Sequence, residues 1–281
     1  MTRYLRPAST ADALSALATA GDGARALVGG TDLLVGLRHH TIEPALIVDL
    51  KAVADLPEPI AVGDDGVRVG PTLTMGELAA HPVVRRWYPA LVEAALTVGS
   101  VAIRNRASLV GNACNGSPAA DTVPALLVHG ASITIASRGG DRTVSLDDFF
   151  LGPRRTLCGS DELVTRIDLP RPPDGFGSAF LRLTRRRGVD LATVSVAAGV
   201  DRDGRVVLGL GAVGPRPLRT ALDAQFDPAD VPGLERSLDE RLEIATPISD
   251  IRGSAEYRHA MVRVLARRAI LAAADRRERA A

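Results

Sequence analysis

Lysine is almost absent from this chain: Lys51 is the only one among 34 basic residues. Arginine supplies the rest, as a GC-rich coding bias would produce. These residues offset 33 acidic ones to a formal net charge of +1, so the chain offers no basic field to recruit nucleic acid. Aromatic residues make up 3%, too few for base-stacking platforms. Cys114 and Cys158 are the only cysteines, so neither an iron–sulfur cluster nor a cysteine-rich zinc site can be ligated here. No apolar run reaches the ~18 residues of a transmembrane helix. The opening MTRYLRPAST shows no apolar leader, which favours a reducing cytoplasm and unpaired thiols. His39, His40, His81, His129 and His259 lack metal-ligand spacing and are expected at helix ends or on the surface.

What remains is an ordinary globular composition of 281 residues, with 46% hydrophobic and 24% charged side chains. The spacing predicts a helix capped by Thr10 and running to Ala20, a strand ARALVGG, a helix opened by Asp32, and a buried strand over 45–50. From Ile60 the texture changes to a hairpin about Asp65–Gly66, helices over 72–80, 89–98 and 121–129, and strands either side of Gly139–Gly140. The stretch 162–170 closes this part as a further strand, before the prolines at 170, 172 and 173. The third part opens with two strands flanking Asp203–Gly204. Helical stretches are expected after Pro215 and Pro217, then a long helix capped by Ser254. Tyr257, Met261, Val264, Leu265 and Ile270 are expected along its apolar side, and the tail RRERAA is expected frayed and solvated.

Two stretches point to chemistry. LVGGTD (27–32) follows an apolar strand with a tight glycine turn, and SLVGNACNGSPAAD (108–121) strings small residues together before an acid. Both are expected to be loops whose N–H groups approach an anion, since glycine removes the Cβ that would block it. A pair of such loops suggests a long ligand with a pyrophosphate at its middle. The plainer reading of the first is a strand-to-helix connection, and Asp121 also fits as the cap of the helix that follows, with Pro124 in its first turns. GLGAVG (209–214) satisfies G-x-G-x-x-G, yet Pro215 and Pro217 follow at once, so it is expected to be a strand end and not a nucleotide loop. Cys114 is explained by small size better than by reactivity, and Arg185–Arg187 by solvation, unless its place after Arg182 turns part of it toward a phosphate or a redox partner.

The order and spacing of LVGGTDLLVGLR (27–38), AIRNRASLVGNACNGSPAADTVPALL (102–127), DFFLGPRRTLCGSDELVTRIDLP (148–170) and SAEYRHAMVRVLARRA (254–269) resemble the FAD-binding medium subunits of molybdenum hydroxylases, the xanthine dehydrogenase and aerobic carbon monoxide dehydrogenase family. The resemblance implies an α+β fold: a vanillyl-alcohol-oxidase-like (PCMH-type) FAD-binding domain of two α/β subdomains, over 1–55 and 56–173, and a C-terminal antiparallel sheet with helices over 174–281. It implies FAD contacts at Leu27, Val28, Gly29, Gly30, Thr31 and Asp32, and at Ser108, Val110, Gly111 and Asn112. Further contacts fall on Ile103, Asp121, Val164 and Arg182. Three departures stand out: Val110 where glycine is usual, Arg182 where lysine is frequent, and an Arg185–Asp190 loop one residue longer than in close relatives.

The same resemblance implies a large subunit with a molybdenum cofactor and a small subunit with two [2Fe–2S] clusters, in a (large–medium–small)2 assembly. Electrons would pass from the clusters through FAD to an external acceptor. Two other readings stay open at this level: a stand-alone FAD-dependent oxidoreductase, and a non-catalytic module holding another phosphate ligand. Carbon monoxide, an aldehyde, a purine or an N-heterocycle would be served by similar medium subunits.

Overall fold

Leu46–Asp49 buries all four of its side chains, as a strand paired on both sides must. In the computed structural model, which describes residues 1–223, 225–228 and 230–280 with side chains to 277, this strand lies at the centre of a small parallel sheet. Its order is β1 (Arg3–Leu5), β3 (Leu46–Asp49), β2 (Ala24–Leu27). The helix Thr10–Ala20 crosses from β1 to β2 and buries Ala13, Leu14 and Leu17. Its cap is Ser9 and not Thr10: Ser9 is extended and its Oγ accepts from the Asp12 N–H at 3.1 Å, whereas the Thr10 N–H and hydroxyl both bond Asp55.

The second sheet is antiparallel, ordered β4 (Ile60–Gly63), β5 (Gly66–Val69), β10 (Leu163–Pro170), β6 (Ser132–Ser137), β7 (Gly140–Ser145). A short β8 (Phe150–Gly152) and β9 (Arg155–Thr156) hairpin lies apart from it. Leu78, Leu91, Leu126, Ile133, Ile135 and Ile167 fill its core with no exposure. The helix Met75–Ala80 starts with a reciprocal cap between Thr74 and Glu77, a T-x-x-E signal present in the sequence and passed over in its reading.

The third sheet is β11 (Gly177–Leu183), β12 (Val194–Val200), β13 (Val206–Gly211), β14 (Leu218–Ala221), antiparallel throughout. β14 corrects the expectation of helix directly after the prolines; the helix there is Val231–Leu242. GLGAVG lies in β13 and its exit turn, as expected. Gly209 answers to packing: a Cβ there would stand 2.1 Å from the Pro124 carbonyl oxygen, so only glycine lets the helix Thr122–Val128 lie on this strand.

The long helix Ala255–Ala280 covers β11 and β12. Ser254 accepts from the Tyr257 N–H at 3.1 Å, as a cap should. Its buried face differs from the expected one: Val262, Leu265, Ala266, Ala269, Ile270 and Ala273 face the sheet, while Tyr257 and Val264 are exposed. Alanines seat the helix close to the strands, and apolar size alone does not reveal that choice. The tail is also anchored further than expected. Arg276 pairs with Glu93 and donates to the Ser178 carbonyl at 2.6 Å. The rest of RRERAA beyond Arg277 lies outside the described side chains, and Ala281 outside the described residues.

His129 ends the Thr122–Val128 helix as a helix-end histidine, yet it is buried, contrary to the surface alternative. Its ring lies edge-on to Tyr88 at 5.0 Å and 5.5 Å from Phe176, and its Nε2 has no partner. Burial pushes the imidazole down to about 3. The unfolded chain therefore takes up a proton near the ordinary histidine value while the folded one does not. Stability present at neutral pH is lost as pH falls from about 6.5 toward 3, at ~1.4 kcal/mol per pH unit for this group. His129→Leu is expected to remove that slope, so urea midpoints at pH 5 and pH 7 should differ less in the variant than in the parent.

Candidate functional site

The first glycine turn begins where β2 ends at Leu27, itself buried. The chain turns sharply because Gly29 lies against the Arg106 carbonyl, where a Cβ would stand 2.1 Å from the oxygen. Gly30 takes φ +73°, and Leu33–Arg38 follows as a short helix. Asp32 occupies the cap position, but its side chain makes no capping bond and is exposed. Among the described residues no acceptor takes the backbone N–H of Gly29, Gly30, Thr31 or Asp32. Successive amides left free in this way can form a concavity that binds an anion.

The second stretch is not the loop expected of it. Ser108 caps a helix, Leu109–Cys114, and its Oγ takes the Gly111 N–H at 3.2 Å, so that amide is already engaged. Leu109 and Val110 point into the core and Gly111 is exposed, which is why Val110 is tolerated where glycine is usual. A Cβ on Gly111 would meet only the Ser108 hydroxyl, at 2.9 Å. The signal was a serine ahead of an apolar pair, obscured by the small residues after it. Leu73–Met75 clamps this segment: Met75 N–H donates to the Ala107 carbonyl at 2.8 Å, and Leu109 N–H to that of Leu73 at 3.2 Å. The fold thus sets the Gly29 turn directly against the residues that lead into Ser108.

Within this helix, Asn112 accepts a 2.7 Å hydrogen bond from the hydroxyl of Thr122, a fully buried residue that the sequence reading did not select. Its only signal was its place next to Asp121. The carboxylate of Asp121 does not cap its helix; Oδ2 pairs with Arg182 at 2.7 Å. Both side chains are almost buried, 12% and 13% exposed, and Asp121 Oδ1 has no partner. Burial pushes the Asp121 carboxyl up to about 6, against the pull of Arg182. Arg182 is therefore half of an ion pair. Arg185 and Arg186 are also engaged, with Asp190 and with the Val189 carbonyl, which folds the Arg185–Asp190 loop on itself.

Leu27–Asp32, Ser108–Asn112, Asp121 and Arg182 form a connected set through Arg106–Ala107 and Thr122. Ile103 joins it by its backbone, whose carbonyl accepts from Ala107 N–H at 2.7 Å, and its side chain is 37% exposed. Val164 is buried in β10, beside a bulge and beneath the Leu109–Cys114 helix. A run of free amides at one end and an unpartnered carboxylate oxygen at the other fit a long cofactor with an anionic middle and a polar head.

Comparison with known proteins gives the family. Residues 1–172 match the family described as the FAD binding domain in molybdopterin dehydrogenase, and residues 179–273 the CO dehydrogenase flavoprotein C-terminal domain. The nicotine 6-hydroxylase medium subunit of Paenarthrobacter nicotinovorans is 34% identical, covering 98% of each chain. A xanthine dehydrogenase FAD-binding subunit of Escherichia coli O157:H7 is 31% identical over 95% of this chain and 94% of its own. Among solved structures, CO dehydrogenase from Oligotropha carboxidovorans superimposes with a TM-score of 0.91 at 31% identity, covering 98% of each chain, so the expected α+β fold is the one found. Matched along both halves and over nearly its whole length, this chain belongs to the molybdopterin dehydrogenase (molybdenum hydroxylase) family, as an FAD-binding oxidoreductase subunit.

Proposed function

We propose that the chain is the medium subunit of a (large–medium–small)2 hydroxylase. It would receive electrons from [2Fe–2S] clusters on a small subunit, fed by a molybdenum cofactor on a large subunit, and deliver them to an external acceptor. The observation that carries this reading is the convergence of the two glycine segments within one chain of this family, joined to a donor set that cannot serve the other centres. Both cysteines are unpaired, and no group of His, Cys, Asp or Glu among the described residues is arranged to hold a metal ion. No helix of the described residues is long and apolar enough to cross a membrane. Cytoplasmic location is part of the proposal.

FAD, when bound, supplies reversible two-electron storage that can be filled and emptied one electron at a time. The residues supply its position. Gly29–Asp32 would offer free amides to the pyrophosphate, with the exposed Gly111 leaving room for it and Asn112, oriented by Thr122, contributing beside them. Asp121 and Arg182 would serve the flavin, whose donors the unpartnered Asp121 Oδ1 could accept from. Val164 and Ile103 would line its apolar surface.

Gly111→Val tests the site. A Cβ at 111 disturbs only a hydroxyl, so the fold should survive while flavin retained after desalting, read by absorbance, falls to near zero; parent-like flavin content would remove this segment from the site. The paired charges make a second test. Arg182→Met leaves the Asp121 carboxylate unmatched and should lower the FAD midpoint potential by about 30 mV, ~1.4 kcal/mol for a two-electron couple. Asp121→Asn should move it the other way, and potentials unchanged in both variants would place the pair away from the flavin. A third test concerns the assembly. The chain expressed alone should bind FAD and reduce no dye with any hydroxylase substrate, gaining activity only with its large and small partners. Substrate-dependent dye reduction by the pure single chain, free of iron and molybdenum, would make it a stand-alone flavoenzyme.

A further inference from the structure

Lys51, the one lysine of the chain, lies beside the first cofactor segment in a network that the family resemblance did not assign. Asp49 closes the central strand β3, and its register partner on β2 is Leu27, the residue from which the glycine turn departs. This is the carboxyl end of a parallel sheet, where α/β folds place their ligands. The Asp49 side chain is 2% exposed, which would be costly for an unpaired carboxylate. It is satisfied from several sides: by the Tyr4 hydroxyl, by the Lys51 backbone N–H at 3.0 Å and by the Lys51 ammonium at 2.7 Å, with Arg6 at 4.0 Å. Burial alone would raise this carboxyl, and the hydrogen bonds from Lys51 and Tyr4 hold it below the usual carboxylate range.

The ammonium has a further donor, which reaches the Val28 carbonyl at 3.4 Å. The Val28 C=O and the Gly29 N–H belong to one planar trans peptide and point in opposite directions. A cation that draws the carbonyl to one side therefore presents the amide to the other. That amide is the first of the four without an acceptor. We propose that Lys51 is a positioning residue for the cofactor segment: tethered to Asp49, its ammonium fixes the Val28–Gly29 peptide so that the Gly29 N–H faces the FAD pyrophosphate. This rests on the reading of Gly29–Asp32 as the pyrophosphate segment. Pinning the peptide before the cofactor arrives lowers the ordering cost of binding.

The test is FAD affinity of the full chain, titrated by quenching of flavin fluorescence. Lys51→Met should weaken FAD about tenfold, the scale of one lost hydrogen bond to a charged group. Lys51→Arg keeps a charged donor and should bind within about threefold of the parent. If Lys51→Met fails to fold because Asp49 is left unpaired, the double variant Asp49→Asn/Lys51→Met removes the buried charge and should show the same loss. Parent-like affinity in the methionine variants would overturn the role of Lys51, as would an arginine variant no better than the methionine one. Gly111→Val separates the two readings. If it loses FAD while Lys51→Met does not, the inference about Lys51 falls alone; if both bind as the parent does, the cofactor site itself has been misplaced.

Discussion

Every residue from Thr122 to Val128 is buried, and no other helix of the described residues is enclosed in this way along its whole length. The helix lies between the core of the second sheet and the face of the third, and the contact with Gly209 holds it against β13. It cannot slide or rotate without driving the Pro124 carbonyl into a strand. Its first residues reach outward to two separate elements, Asp121 to Arg182 on β11 and Thr122 to Asn112 on the 109–114 helix. Its last residue but one buries into the core, and His129 beyond it joins the Tyr88 and Phe176 rings. One close approach between backbones therefore fixes where the third sheet stands relative to the cofactor segments. Interiors packed to this density transmit such constraints over several residues.

The alternating strands were legible in the sequence because their period of two survives any context. The hairpins about 65–66, 139–140 and 203–204 were legible by their turn residues. What escaped was short or small. Leu109–Cys114 spans too few residues for a helical period to show, and its serine cap is followed by residues that serve equally in a loop. β14 follows two prolines, spans only four residues and pairs only with β13, at the edge of the sheet. The buried face of the last helix is chosen by alanines, which record close approach and carry little hydrophobic weight.

The site divides the same way. The glycine turn, Asp121 and Arg182 were singled out from the sequence, yet the partners the structure gives them were not. That Arg182 is neutralised by Asp121, and that Asp49 and Lys51 lie behind Val28, are consequences of which strands end side by side. Residue types alone cannot show this; sheet order can.

A nearly neutral chain that binds a pyrophosphate cofactor need not do so with free cations. Lys51 is committed to Asp49 and Arg182 to Asp121, so these two basic groups arrive already paired. On the proposed reading, backbone dipoles attract the anion at no cost in counter-charge and are aimed by the fold. In the proposed site the paired side chains would hold those dipoles and the cofactor's polar head in place. Such an arrangement favours geometry over long-range steering, as suits a cofactor that is bound once and kept. It also explains why the chain can depart from lysine at 182: a planar guanidinium locked to a buried carboxylate positions more rigidly than a flexible ammonium, while at 51 a compact charge reaches a carboxylate and a carbonyl at once.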